Sequence, residues 1–452
     1  MTAATVALPP VTARPAAVRR GFRFELVKLL AQWRIRLMLV LCWLAPALLV
    51  ATVSNQTTLP SDTVFGRWMG QTGWAGALVV LSFSCSWVLP LVTSLVAGDV
   101  FATEDRLGTW RHLLVAVRSP RRIFVTKTLA SLTVILLLFV GLAVSGAVGG
   151  LAAAGNRHLV GLDGHLLAPG HAASAVALAW VSVLAPTLAF AAVGLLGSVA
   201  LGRSPMGLLM PVVLAFVLQM AQLLPLPVVV RVALPSYAFI AWRGLFTHPA
   251  QTGPVVLGII VSLAWASVAT ALAYRLFMRR DFTDPAYDGA GRRLVVRVGP
   301  PLAALLAATI GVVSAATAAS GSGIDSSKLQ TSLATVYGHL YRLQAHELNR
   351  PDVTEKQMAT TASCDKGGSL VDDTGPGNDW RCVVTWHIPG AKATGSAIYQ
   401  LDVTSDGRYV ADGDGPQSVN GFFQVHTATG NAPNPLWQFD GTVDLLSPLS
   451  KG

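Results

Sequence analysis

A mainly α, polytopic membrane protein carrying a small α+β domain at its C-terminal end is the fold class this chain predicts, on three observations. Over 452 residues it is 52% hydrophobic and only 12% charged, about half the charged fraction of a soluble domain. Its apolar residues come in runs of about 20, enough to cross a hydrocarbon core of roughly 30 Å as helix, whereas strands of a membrane barrel would alternate in short segments. Beyond Ser320 the composition becomes that of a soluble domain.

Residues 1–18 are rich in Ala, Pro and Thr and predict a disordered tail. Phe22, Leu26, Leu29, Leu30, Trp33 and Leu37 then recur at helical spacing, with Arg23, Glu25, Lys28, Gln32, Arg34 and Arg36 on the other faces. That pattern predicts an amphipathic helix over 21–36 lying on the membrane surface, with Glu25, Lys28, Trp33 and Arg34 as its polar and aromatic markers. The alternative is a plain extension of the first span. Seven spans follow, at 37–53, 74–97, 128–153, 174–201, 207–230, 253–274 and 298–319. Pro46, Pro186, Pro211 and Pro225 fall inside them and read as kinks, since neighbouring helices can satisfy the freed carbonyls. No apolar stretch with a small-residue cleavage site precedes the first span, so no removable signal peptide is expected.

The net charge of +10 is partitioned along the chain in a way that nucleic-acid binding does not require. Basic residues crowd the segments before the first span, between the second and third (Arg106, Arg111, Arg118, Arg121, Arg122, Lys127), at Arg203, and at Arg279, Arg280, Arg292, Arg293 and Arg297; the alternate loops carry only Arg67, Arg157, Arg231 and Arg243. The positive-inside rule makes the first set cytoplasmic. The N-terminus is then inside, and an odd number of spans puts residues 320–452 outside. In that domain Leu329, Leu333, Val336, Leu340 and Leu343 mark an amphipathic helix, "WRCVVTWHI" and "SAIYQLDVT" read as strands, and "SDG" at Ser405 to Gly407 reads as a hairpin turn into "RYVADG". Cys364 and Cys382 are its cysteine pair, and an oxidising exterior favours a disulfide; a two-cysteine zinc site lacks the four-ligand spacing. Cys42 and Cys85 fall in spans and read as small buried apolar residues.

None of the seven spans contains Asp, Glu, Lys, Arg or His. Ion-coupled carriers need buried ionisable groups, and an intramembrane enzyme would lack general acids, bases and metal ligands. His158, His165 and His171 share one outward loop, but their spacings match no metal motif, and solvated loop histidines are the simpler reading. G-x-x-x-x-G-K-[ST] is absent, so nucleotide hydrolysis must come from another polypeptide.

Against that apolar background stands "FATEDRLGTWRHLLVAVRSPRR", Phe101 to Arg122. It predicts a short helix starting near Thr109, with acids before it and bases after it as the helix dipole favours, ended by Ser119 and Pro120. A short, charge-rimmed helix suits docking into a groove of a partner; an ordinary basic loop needs no more than its arginines. Glu104, Gly108, Thr109, Leu113, Leu114 and Lys127 resemble the first cytoplasmic loop of the type 2 ATP-binding-cassette (ABC) transporter permeases, patterned E…GT…LL…P-x-S-R…K, and Gly108 to Lys127 fits without a gap. "FELVKLLAQWRIRLM" is similar to the helix that opens such permeases, with Glu25, Lys28 and Arg34 matching. Val117 stands where the family has Pro and Pro120 where it has Arg, with Arg121 and Arg122 just after, so the turn is displaced.

The resemblance covers about residues 20–280 and implies the following expectations. Residues 19–280 form a six-span permease domain with a coupling loop at 98–127, to which 281–319 add a cytoplasmic linker and seventh span, and 320–452 an extracytoplasmic domain. Glu104, Gly108, Thr109, Trp110, Leu113, Leu114, Arg118, Arg121, Arg122 and Lys127 meet a cytoplasmic ABC ATPase, present in two copies. The chain carries no cofactor, ATP and Mg being held by that ATPase, and pairs with a second, identical or homologous permease half among membrane lipids. Export of a drug, antibiotic or lipid across the plasma membrane is expected. The excess of arginine over lysine suggests a high-GC bacterium such as an actinobacterium. The alternative is an anchored receptor or scaffold whose outer domain binds a ligand.

Overall fold

The computed structural model describes residues 15–56, 65–69, 71–117, 119–201, 206–224, 226–280, 291–320, 323–368, 371–390, 393–427 and 430–445. Six helices among them are long and apolar enough to cross a membrane, and the chain is a polytopic membrane protein with a small α+β domain. Helix α1 (Pro15–Ala31) is separated from α2 (Trp33–Ser54) by a break at Gln32, where ψ is 127°. A 3-10 turn at Gly66–Trp68 leads to α3 (Gly73–Phe83), a π-helical turn at Ser84–Val88 and α4 (Leu89–Leu107), together one span of 35 residues. The π turn has a local cause. Pro90 offers no N–H to the carbonyls one turn back, and the Cys85 carbonyl instead accepts from Gln219 Nε2 at 3.2 Å.

The short α5 (Trp110–Val117) precedes α6 (Pro120–Ala154), which packs along both α2 and α3. Gly73 and Gly150 meet backbone to backbone, so a Cβ on either would overlap the other helix. A hairpin of β1 (Leu159–Val160) and β2 (Leu166–Leu167) follows, then α7 (Pro169–Ser182) and α8 (Leu184–Leu201), one span bent at Val183, three residues before Pro186.

The expected span at 207–230 is not a single helix. Helix α9 (Met206–Met220) has 15 residues, about 22 Å at 1.5 Å per residue, and ends before the Leu-Pro-Leu-Pro of 224–227. Two alternate prolines disfavour helix at the residues before them and remove two donors, so the run stops there instead of kinking. Pro225 itself lies outside the described residues. Helix α9 nevertheless joins the two ends of the bundle. It follows the last turn of α8, where Ser198 accepts from the N–H groups of Phe101 and Ala102 at 3.2 and 3.0 Å, while Gln222, just past the end of α9, donates to Ser236 at 2.8 Å and to the Arg231 carbonyl. Arg231 in turn donates to Ser405 of the C-terminal domain.

Two short helices, α10 (Val228–Val232) and α11 (Ala238–Ala241), with 3-10 turns at Pro235–Tyr237 and Trp242–Phe246, cap that end of the bundle. Helices α12 (Gly253–Met278) and α13 (Gly291–Ser320) complete the apolar set. Residues 1–14 of the expected tail and residues 281–290 of the expected linker lie outside the described residues, while residues 15–18, expected as tail, are the first turn of α1.

The C-terminal domain packs α14 (Ser326–Glu347) on an antiparallel sheet. Its strands are β3 (Thr361–Asp365), β4 (Gly377–Trp386), β5 (Gly395–Val403), β6 (Arg408–Gly413) and β9 (Gln438–Thr442), in that spatial order. Helix α15 (Glu355–Met358) precedes the sheet; α16 (Gln417–Asn420) and the hairpin of β7 (Gln424–Thr427) and β8 (Gly430–Pro433) lie beside it. Leu329, Leu333, Val336, Leu340 and Leu343 are all buried against Trp380, Tyr399 and Tyr409. Cys364 and Cys382 are register partners on β3 and β4 and are joined by a disulfide. The Thr404 to Arg408 turn closes the β5–β6 hairpin, with Gly407 at φ 82°.

Candidate functional site

The candidate site lies at the end of the bundle opposite the C-terminal domain, where α1, α4, α5, α6 and α12 meet. Helix α4 stops because Gly108 takes the left-handed conformation, φ 64°, which glycine adopts without a Cβ penalty. Its N–H and that of Thr109 return to the Asp105 and Glu104 carbonyls at 3.4 and 3.2 Å. Eleven residues after Gly108, Ser119 caps α6, its Oγ accepting from the Arg122 N–H at 3.4 Å with Pro120 at the first helical position. Between these two stops the chain has room only for α5.

A buried charge cluster ties this corner together. Glu104, 1% exposed, places Oε1 2.7 Å from Lys127 Nζ and also against Lys28 Nζ, while Oε2 accepts from the Thr109 hydroxyl. Lys127, 2% exposed, reaches Glu25 Oε2 at 2.9 Å. Two carboxylates and two ammonium groups thus balance across α1, α4 and α6, in a setting where an unpaired charge is strongly destabilising.

A second knot fixes α5. Arg280, just past α12, forms a two-pronged pair with Asp105 at 2.7 and 3.0 Å. Its guanidinium lies 5.8 Å from the Trp110 ring centre, and the indole N–H also donates to Asp105. Trp110 stacks on Phe101 at 6.1 Å and sits 5.6 Å from Phe277, with Phe124 and Tyr274 completing the aromatic group.

Of the sequence-predicted residues, Glu104, Lys127, Glu25, Lys28 and Thr109 come together in the charge cluster, and Gly108 supplies its turn. Trp110 is buried; Leu113 and Leu114 are half-buried on the same aromatic group. Arg121 is exposed and Arg122 half-buried. Arg118 lies outside the described residues. Trp33 and Arg34 are exposed at the start of α2 and join nothing here. The outward face of α5 is instead Arg111, His112 and Val115, the last 76% exposed, beside an exposed Leu107. Sequence reasoning placed Glu25 and Lys28 on polar outer faces, whereas they point inward and Phe24 and Val27 point out. The Asp105–Arg280 pair was missed because nothing local signals a bond spanning 175 positions.

The bonds of the arrangement tie the start of α5 to α1, α4, α6 and Arg280 after α12. Residues 22–222 match the family described as ABC-2 family transporter protein. That segment belongs to the ABC-2 transporter family. The ABC-2 match contains the whole charge cluster and α5 and stops at Gln222, before the capping helices, α12, α13 and the C-terminal domain. No curated protein matches the chain. Over that segment the chain is similar to the membrane component of an ABC transporter. Of the loop histidines, His158 and His171 are exposed and apart, while His165 bonds Asp163. Among the described residues no group of His, Cys, Asp or Glu is arranged to hold a metal ion.

Proposed function

We propose that this permease is driven by a separate ABC ATPase docking on α5, and that it exports a hydrophobic or amphiphilic cargo, such as a drug, antibiotic or lipid, across the plasma membrane. The observation that carries this reading is the double anchorage of α5, through Glu104 and Thr109 to α1 and α6 and through Asp105 and Trp110 to Arg280 after α12. A push on the outward face at Arg111, His112 and Val115 reaches four helices through these bonds. Glu104, Gly108, Thr109, Trp110 and Lys127 set the shape of the handle; Leu113, Leu114, Arg121 and Arg122 flank the contact. ATP and Mg are the partner's, in two copies, and this chain contributes neither.

Several features support the rest of the reading. The basic end of the bundle is cytoplasmic by the positive-inside rule, which puts the C-terminal domain outside. The α2 face of Val40, Leu41, Leu44 and Leu48 and the α9 face of Met210, Val213 and Val217 are exposed and apolar, as lipid or a second permease half requires. A high-GC bacterium such as an actinobacterium fits the arginine-rich composition.

The test is substrate-stimulated ATPase activity of the complex reconstituted in vesicles. Arg111→Glu, on the exposed face of α5, and Gly108→Val are each expected to lower stimulation markedly while the permease still purifies folded. A Cβ at position 108 meets open space, so the valine acts through the backbone, by opposing φ 64°. Full stimulation in both variants would overturn the assignment.

A further inference from the structure

We infer that the C-terminal domain is latched to the bundle by an imidazolium, His339 of α14, held between Asp163 of the β1–β2 hairpin and Glu355 of α15. The latch closes as pH falls and opens as pH rises. It is independent of how α5 is driven.

The hairpin is the part of the bundle that enters the domain. Val160 belongs to the domain's own core, and Gly164 lies so close to Leu340 that a Cβ there would overlap it. Beside that contact His339, 3% exposed, places Nδ1 3.2 Å from Asp163 Oδ2 and Nε2 3.5 Å from Glu355 Oε1. A neutral imidazole has one N–H and one lone pair, so it would turn the lone pair toward one of the two carboxylates. Only the charged ring offers a proton to both. Asp163 is fixed as the acceptor by the His165 ring on Oδ1 and the His248 N–H on Oδ2.

Other charges face this group. The His165 and His248 rings lie 5.8 and 6.0 Å from His339. Arg342 pairs Glu355 at 3.1 Å and Asp352 at 3.0 Å. Lys328 and Asp444 line the adjoining cleft of about 490 Å³, and Tyr409 of β6 approaches through Ser332.

Burial alone would lower the pKa of the His339 imidazole, but Asp163 and Glu355 outweigh it and raise the value above the ordinary one. Burial would raise that of Asp163, yet the two histidines hold its carboxyl well below the usual range. A raised histidine contributes fully below about pH 6.5 and is lost as pH climbs through its folded value; a depressed aspartate contributes fully above about pH 4. The contact is therefore strongest between about pH 4 and 6.5 and weakens above that window.

Hydrogen exchange of the full chain in lipid nanodiscs, corrected for intrinsic rates, tests this from pH 5.5 to 9. Segments 159–167 and 335–343 are expected to exchange at least about tenfold faster at pH 9 than at pH 5.5, with β4 and β5 unchanged. His339→Gln is expected to abolish that step. Equal corrected protection of both segments across the range in the native protein overturns the latch, as does an unshifted step in His339→Gln. Should the variant lose β4–β5 protection by misfolding, the native series decides alone.

Discussion

At the scale of single residues, Lys127 is the position on which the charged end of the bundle depends most. Its ammonium touches both Glu25 and Glu104. Lys127→Met would leave two carboxylates facing each other with only the half-exposed Lys28 to oppose them. Removing one partner of a buried pair costs about 3–5 kcal/mol. We expect a loss of that order in thermal unfolding of the purified permease, and a partial recovery when Glu104→Gln is added, because the two changes act on one network. A double variant as unstable as the sum of the single ones would show that the charges act separately. Glu104 and Lys127 stood out in the sequence through the resemblance of their loop to that of the permeases. Their contact partners did not: Glu25 and Lys28 read as solvent-facing because a helical wheel shows which residues share a face, not what the face meets.

At the scale of elements, the short helix α5 was readable from its punctuation. Gly108 ends α4, and Ser119 with Pro120 starts α6, each through a local backbone preference. For that reason Ser119→Ala should cost about 1 kcal/mol and loosen α5, measured as faster exchange over 110–117 than in the native protein; unchanged exchange there would deny the cap its role. Which face of α5 is free was not readable, because Trp110 turns inward only to meet Phe101 and Phe277 from other helices. In the C-terminal domain, α14, β4, β5 and β6 follow the predicted pattern closely, since alternation and turn chemistry are local. The bond between Cys364 and Cys382 closes a loop of 18 positions, worth about 3 kcal/mol in the chain-entropy account. Replacing both by serine should lower the domain's urea midpoint accordingly, followed by Trp380 fluorescence. A midpoint equal to that of the native protein would mean the sheet holds β3 without the bond.

At the scale of the whole molecule, the chain has two cores, one in the bundle and one in the C-terminal domain, joined by few but specific contacts. Arg231 meets Ser405, Gln251 meets the Thr442 carbonyl at 3.3 Å, and Asp163 meets His339. Arg231→Ala together with Gln251→Ala should leave the domain held by the histidine contact and the packing of Val160 and Gly164 on it, and so sharpen the pH step in exchange of segment 159–167. A step of unchanged size would place the holding force elsewhere. The sequence by itself determined what depends on composition and neighbours: a membrane protein, the position of six of its apolar helices, the short helix after Gly108, and an α+β domain after Ser320. Helix α9 marks the limit of that, because apolarity predicted a full span where two prolines end the helix. The tertiary structure alone decided which charges pair, which face of α5 is free, and which histidines gather at the domain boundary. Those outcomes depend on residues far apart in the chain meeting in a medium of low dielectric, where a partner's identity outweighs local preference.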